Sequence, residues 1–137
     1  MIVVDTNVLA YLHIPGEWTE QAIIAYRKDP LWIAPVLWKS EFRSILSLYM
    51  RKERLALSDA VAVCDQAELL MKGNEFQVPT ADVLGLINDS KCSAYDCEFV
   101  ALAKANGISL VTTDQRILKE FPGTAISLSL FSSSDRR

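Results

Sequence analysis

The 137-residue chain is poor in the residues that mark several protein classes. Its three cysteines, Cys64, Cys92 and Cys97, are odd in number and lack CxxC spacing. That excludes a disulfide framework and a cysteine zinc site, and suits a reducing, cytoplasmic setting. Five glycines and five prolines, against 50% hydrophobic and 23% charged residues, exclude collagen-like and disordered chains. No apolar run approaches the ~20 residues of a membrane span. The start, Met1 to Asp5, has no basic region and meets an acid after three apolar residues, so it does not read as a signal peptide. A net charge of -3 excludes a uniformly basic nucleic-acid coat, but leaves open a local basic patch or an acidic site neutralised by metal. The composition suits one domain, placed at residues 1–131, and the polar end 132–137 reads as a disordered tail.

Short β-branched runs alternate with longer helical patterns. Strands are expected at 2–4, 31–34 and 108–112, with further candidates at 76–78 and 125–130. Thr19 is placed as the cap of a helix to Lys28, Pro35 in the first turn of a helix to Arg51, and Ser58 as the cap of a helix ending at Gly73. Thr80 opens a short helix. Ser93, with Asp96 three residues on, resembles a capping box, and Asn106 with Gly107 stops that helix; another covers 115–121. The alternation implies an α/β fold, a parallel sheet with helices on both faces. Such sheets bind ligands outside the carboxyl ends of their strands.

Two acids stand at those ends. Asp5 directly follows the apolar run 2–4, and Asp114 follows Leu110, Val111, Thr112 and Thr113. If the two strands are parallel neighbours, both carboxylates emerge at one sheet edge. Either alone reads equally well as a helix N-cap worth about 1 kcal/mol. Glu41, flanked by Trp38, Phe42 and Ile45, sits beside an apolar stripe, and Asp96 lies in the first turn of the Ser93-capped helix. Two carboxylates ~4 Å apart repel by up to about 4 kcal/mol, so four converging acids need a counter-charge. All four are hard oxygen ligands, which selects Mg²⁺ or Mn²⁺ over zinc or copper. Thr6, Asn7, Ser93 and Thr112 offer hydroxyl and amide groups to orient carboxylates and waters. The chemistry suited to this set is metal-dependent phosphodiester hydrolysis.

The ordered motifs Asp5-Thr6-Asn7-Val8-Leu9, Glu41, Ser93-Ala94-Tyr95-Asp96 and Leu110-Val111-Thr112-Thr113-Asp114 resemble those of PIN-domain ribonucleases, and in length and layout the VapC-like toxins of prokaryotic toxin–antitoxin modules. The resemblance runs from Met1 to about Leu130. It implies a three-layer α/β/α sheet fold, Mg²⁺ or Mn²⁺ held by Asp5, Glu41, Asp96 and Asp114, endonucleolytic cleavage of RNA, a homodimer, and a small VapB-like antitoxin partner. Many such proteins carry a further acid or Asn shortly after the fourth acid. Here Gln115, Arg116 and Ile117 follow, so one metal ion is expected and a second is not implied. An RNA-processing nuclease outside a toxin module, or a silent binding module, remains compatible with the same residues.

Other acid-rich α/β families fit less well. A receiver domain needs an acid pair where Asp5 is followed by Thr6 and Asn7, and a DxD phosphatase needs an acid at position 7. Lys39 and Arg43, near Glu41, are candidate phosphate contacts; with Arg51, Lys52 and Arg54 they also read as a solvated face. His13 is expected to be exposed in a loop, the three tryptophans to serve core or interface, and the cysteines to be inert. Leu46, Leu48, Tyr49 and Met50, with Val61, Val63, Leu69 and Leu70, exceed what one core face needs. Part of that surface is expected to meet a second subunit or an antitoxin.

Overall fold

β1 (Ile2–Val4) is buried along its whole length in the computed structural model, which describes residues 1–134. It is paired on both sides, with β2 (Trp32–Pro35) and with β4 (Leu110–Thr112), Val3 standing level with Ile33 and Leu110. β3 (Glu75–Phe76) lies beyond β2, and β5 (Ala125–Ser127) beyond β4. All pairings are parallel, and the order is β3-β2-β1-β4-β5. The chain therefore moves outward from β1 in one direction, then returns to its other side. The crevice outside the carboxyl ends of β1 and β4 is the topological switch point.

Among the described residues eight helices enclose this sheet: α1 (Thr6–His13), α2 (Thr19–Lys28), α3 (Trp38–Arg51), α4 (Leu57–Met71), α5 (Thr80–Asn88), α6 (Ala94–Asn106), α7 (Gln115–Glu120) and α8 (Leu128–Ser133). α1, α3 and α4 pack on one another, while α6 runs across β1, β2 and β4 with α5 against it. The result is the three-layer α/β/α arrangement. In α6 the run from Phe99 through Ala103 is buried without a break, as a helix between a sheet and another helix requires. Trp32, Trp38, Phe42 and Phe99 are the bulkiest fully buried side chains. Among the described residues no helix is long and apolar enough to cross a membrane.

Several local expectations are corrected by tertiary context. Pro35 does not open α3; it closes β2 opposite Phe76, at a strand end where its missing N–H breaks no interior rung. Thr19 is the first residue of α2 rather than its cap. Its Oγ1 accepts from the Gly16 N–H at 2.9 Å and donates to the Ile14 carbonyl. α4 is preceded by Ala56, so Ser58 is inside it. The strand expected at 125–130 stops at Ser127, whose hydroxyl accepts from the Leu130 N–H at 3.1 Å and starts α8. Ser132 and Ser133, assigned above to a polar tail, form the end of α8, and 135–137 lie outside the described residues. His13 closes α1 half-buried, its ring edge-on to Phe42 and its Nδ1 2.8 Å from the Leu9 carbonyl.

Ser93 and Gly107 behave as read. The Ser93 hydroxyl accepts from the Asp96 N–H at 3.1 Å, and Gly107 ends α6 at φ 62°, the left-handed position glycine tolerates. Cys92 and Cys97 are buried and Cys64 half-buried, and burial pushes all three thiols up, Cys92 to about 11. They are inert at neutral pH.

Candidate active site

The switch-point crevice is a cavity of about 240 Å³ bordered by Asp5, Glu41, Asp96 and Asp114. The four acids come from four places: the end of β1, the first turn of α3, the first turn of α6, and the turn after β4. Thr6, Asn7, Ser44 and Ile45 complete the wall. Ser44 escaped the sequence reading. It stands three residues after Glu41, on the same face of α3, and helical spacing from Glu41 would have found it.

Three of the acids are tied into one hydrogen-bond chain. The Thr6 N–H donates to Asp5 Oδ1 at 2.8 Å while the Thr6 hydroxyl donates to Glu41 Oε1 at 2.7 Å. On the other side, the Thr112 hydroxyl donates to Asp5 Oδ2 at 2.7 Å and accepts from the Asp114 N–H at 3.0 Å. Asp114 Oδ1 accepts from the Ile117 N–H at 3.0 Å and so also caps α7. The cap reading and the site reading of Asp114 are thus both satisfied. Asp96 hangs from the Ser93 cap instead. Ser93 lies outside the cavity wall, and besides capping α6 it hydrogen-bonds the Asp96 carboxyl.

Electrostatics single out the same group. Asp5 is 8% exposed, and burial raises its carboxyl from 3.8 to about 6; hydrogen bonds from Thr112 and Thr6 pull it down, while Asp96 and Asp114 push it up. Glu41 is raised by burial and by Asp5, Asp96 and Glu98, against the Thr6 hydrogen bond. Asp96 is raised by burial and by Asp114, against Ser93 and the positive charge of Arg116. Like charges facing one cavity keep apart: among the described residues no three His, Cys, Asp or Glu side chains converge as a finished coordination sphere. The four acids border one cavity, and their hard oxygens are the donors that Mg²⁺-like cations select.

A raised carboxyl favours folding at low pH. Its contribution is complete below the unfolded value of 3.8 and is lost as pH rises through about 6. In EDTA, Asp5 should make the protein more stable at about pH 5 than at about pH 7.5 by on the order of 1 kcal/mol, with Glu41 and Asp96 acting in the same direction. Calorimetric melting at the two pH values measures this. Equal or lower stability at the acidic value would show that the acids are not held in the strained state described.

Lys39 and Arg43 are not brought to the cavity. Two residues either way from Glu41 is about 200° around a helix, so both face away from it. Lys39 Nζ lies 3.6 Å from Glu68 Oε1 of α4, and Arg43 lines a separate groove between α3 and α4. Two other charges do bear on the acids, Glu98 on Glu41 and Arg116 on Asp96.

An all-parallel sheet with paired acids at its switch point defines an α/β domain built around an anionic pocket. The PIN domain family model matches residues 2–123, and the chain belongs to that family. It is 28% identical over 139 residues to Ribonuclease VapC3 of Pyrobaculum aerophilum, covering 88% of this chain and 95% of that protein. The crystal structure of PAE2754 from Pyrobaculum aerophilum superposes with a TM-score of 0.72 at 21% identity, over 96% of this chain and 92% of that one. The crystal structure of FitAcB from Neisseria gonorrhoeae gives 0.73 at 18% identity, over 94% and 99%. These two likenesses show the fold.

Proposed function

We propose that this protein is a divalent-metal-dependent endoribonuclease, and that it is the toxin of a type II toxin–antitoxin pair. The observation that carries the nuclease reading is the convergence of four carboxylates from distant parts of the chain on one cavity, three of them held above their ordinary ionisation range. An uncompensated cluster of this kind costs stability and is explained by a cation and its chemistry. The relative named as a ribonuclease supports RNA as the substrate.

In this reading Asp5, Glu41, Asp96 and Asp114 hold one Mg²⁺ or Mn²⁺. Such an ion supplies acidified water and a counter-charge for a phosphodiester in its transition state. Thr6 and Thr112 fix the rotamers of Asp5 and Glu41, the two carboxylates that would help to hold the ion. Asn7, at the rim, orients water or substrate. Arg116 contributes positive charge that acts on Asp96.

The toxin reading adds a cytoplasmic homodimer of one domain, residues 1–131, held in check by a small VapB-like antitoxin. Its support is the apolar surface on α3 and α4. Leu48, Met50, Val61 and Leu69 are exposed, and the groove beside Arg43 runs between the two helices.

The test is cleavage of total cellular RNA by purified protein with Mn²⁺ or Mg²⁺, with EDTA, and by Asp114→Asn, which keeps the α7 cap because Asn is as good a cap as Asp. Discrete fragments that need both metal and Asp114 are expected. Cleavage that persists in EDTA overturns the metal, and no cleavage with no metal-dependent rise in melting temperature leaves a binding module.

A further inference from the structure

A pocket of four acids repels the phosphates of the substrate assigned to it, so cations must stand close by on the path of the strand. Those on α3 do not: Lys39 is paired with Glu68, and Arg43 faces α4. On another flank, α7 and the segment between α5 and α6 bring Lys91, Arg116 and Lys119 together around a shallow depression of about 450 Å³, with Gln115 and Glu120. All three cationic side chains are exposed. Arg116 Nη1 donates to the Lys91 carbonyl at 3.3 Å, and Glu120 Oε1 accepts from the Lys91 N–H at 2.8 Å. The acid of the patch is thus committed to backbone. Among the described residues neither lysine nor Arg116 has a carboxylate within ion-pair distance.

The start of α7 borders both depressions: its cap, Asp114, lines the acidic cavity, and Gln115 and Arg116 line the patch. The charge of Arg116 also acts on Asp96. A strand held on the patch can therefore reach the acids past the start of α7.

We propose that Lys91, Arg116 and Lys119 form a subsite for the backbone phosphates of RNA flanking the cut bond, with Arg116 nearest the acids; this rests on the ribonuclease reading above. Arg116 has the forked donor geometry that grips a phosphate, and the lysines act as point charges. The contacts are to backbone and carry no base preference, so they set register and affinity rather than sequence.

The test is fluorescence anisotropy of a short, unstructured, labelled RNA in Mg²⁺ over a salt series, with every variant in an Asp96→Asn background that leaves the RNA intact. Lys91→Gln/Arg116→Gln/Lys119→Gln is compared with Arg27→Gln/Lys72→Gln/Lys104→Gln, which changes the net charge equally at exposed positions elsewhere. Losing three single-strand phosphate contacts should flatten the slope of log affinity against log salt by about 2, whereas the second triple keeps the parental slope. In the protein with Asp96 intact the patch triple should raise KM.

Equal slopes in the two triples overturn the subsite. Equal slopes together with loss of poly-glutamate binding in the patch triple alone would assign the patch to an acidic protein segment instead. If the Asp96 protein cuts no RNA with either metal, it is the ribonuclease reading that fails, and the subsite falls with it.

Discussion

Asp5→Asn is expected to lower RNA cleavage by more than about 100-fold while raising the melting temperature in EDTA by roughly 4–8 °C at about pH 7.5. Opposite signs are the point of the experiment. Residues that merely orient a metal ligand cost about 10- to 100-fold when lost, so loss of the most buried of the four proposed ligands should exceed that range. Stability moves the other way because Asp5 ionises only at about 6 in the fold. At neutral pH the fold carries about 3 kcal/mol of strain from holding that charge. The amide removes the charge but keeps the shape. Asn Oδ1 still accepts from the Thr6 N–H, and Thr112, whose hydroxyl can donate or accept, turns to receive the amide. Part of the 3 kcal/mol is lost to poorer hydrogen bonding, leaving about 1–2 kcal/mol of net gain. Activity assays and melting curves on the same preparation decide it. Lower activity with a lower melting temperature would make Asp5 a structural cap, and a drop in neither would remove it from the site.

Trp38→Ala should cost about 3–5 kcal/mol, which lowers the melting temperature by roughly 10–20 °C. Trp38 is fully buried in the first turn of α3, three residues before Glu41. Its ring meets Phe42 at 5.7 Å and 70°, and its Nε1–H donates to Glu75 Oε2 of β3 at 2.8 Å. One side chain therefore anchors both the helix that carries Glu41 and the edge strand beside it. Trp38→Phe separates the contributions: it keeps most of the packing and loses the hydrogen bond, for about 1–2 kcal/mol. Chemical denaturation of the two variants measures the difference. A cost below about 1 kcal/mol for the alanine variant would show that the α3 contact with the sheet is not what holds this face.

β1, β4 and their terminal acids were readable because a buried β-branched run that ends in Asp leaves little else to propose. Ser93 and Gly107 were readable because caps are local chemistry. What failed was local chemistry overruled by distant contacts. Pro35 has the φ that suits a helix start, yet β3 needed a partner at that position. The alternation of Ser127, Leu128, Ser129 and Leu130 has the period of a strand, but Ser127 also has the hydroxyl of a cap, and the cap won. Within the site, the sequence named the acids and the threonines beside them, but not which hydroxyl holds which carboxylate. That Thr6 serves two carboxylates at once depends on α3 lying against the end of β1, 35 residues away in sequence. Lys39 and Arg43 were near Glu41 in sequence and opposite it in space, an error of helical phase.

Sheet order also sets when the protein becomes chemically competent. β1 precedes one of its two neighbours, β4, by a long stretch of chain: Asp5 and its partner Thr112 are 107 residues apart. Until β4 is made Asp5 lacks Thr112 and the fourth acid is missing, so the emerging chain has no assembled cavity. Non-local pairing of this kind is slow to form and is completed last. If the ribonuclease proposal holds, a chain that cut RNA while attached to its own message would destroy the template being read. This strand order delays that danger until β4 has been made and has paired with β1.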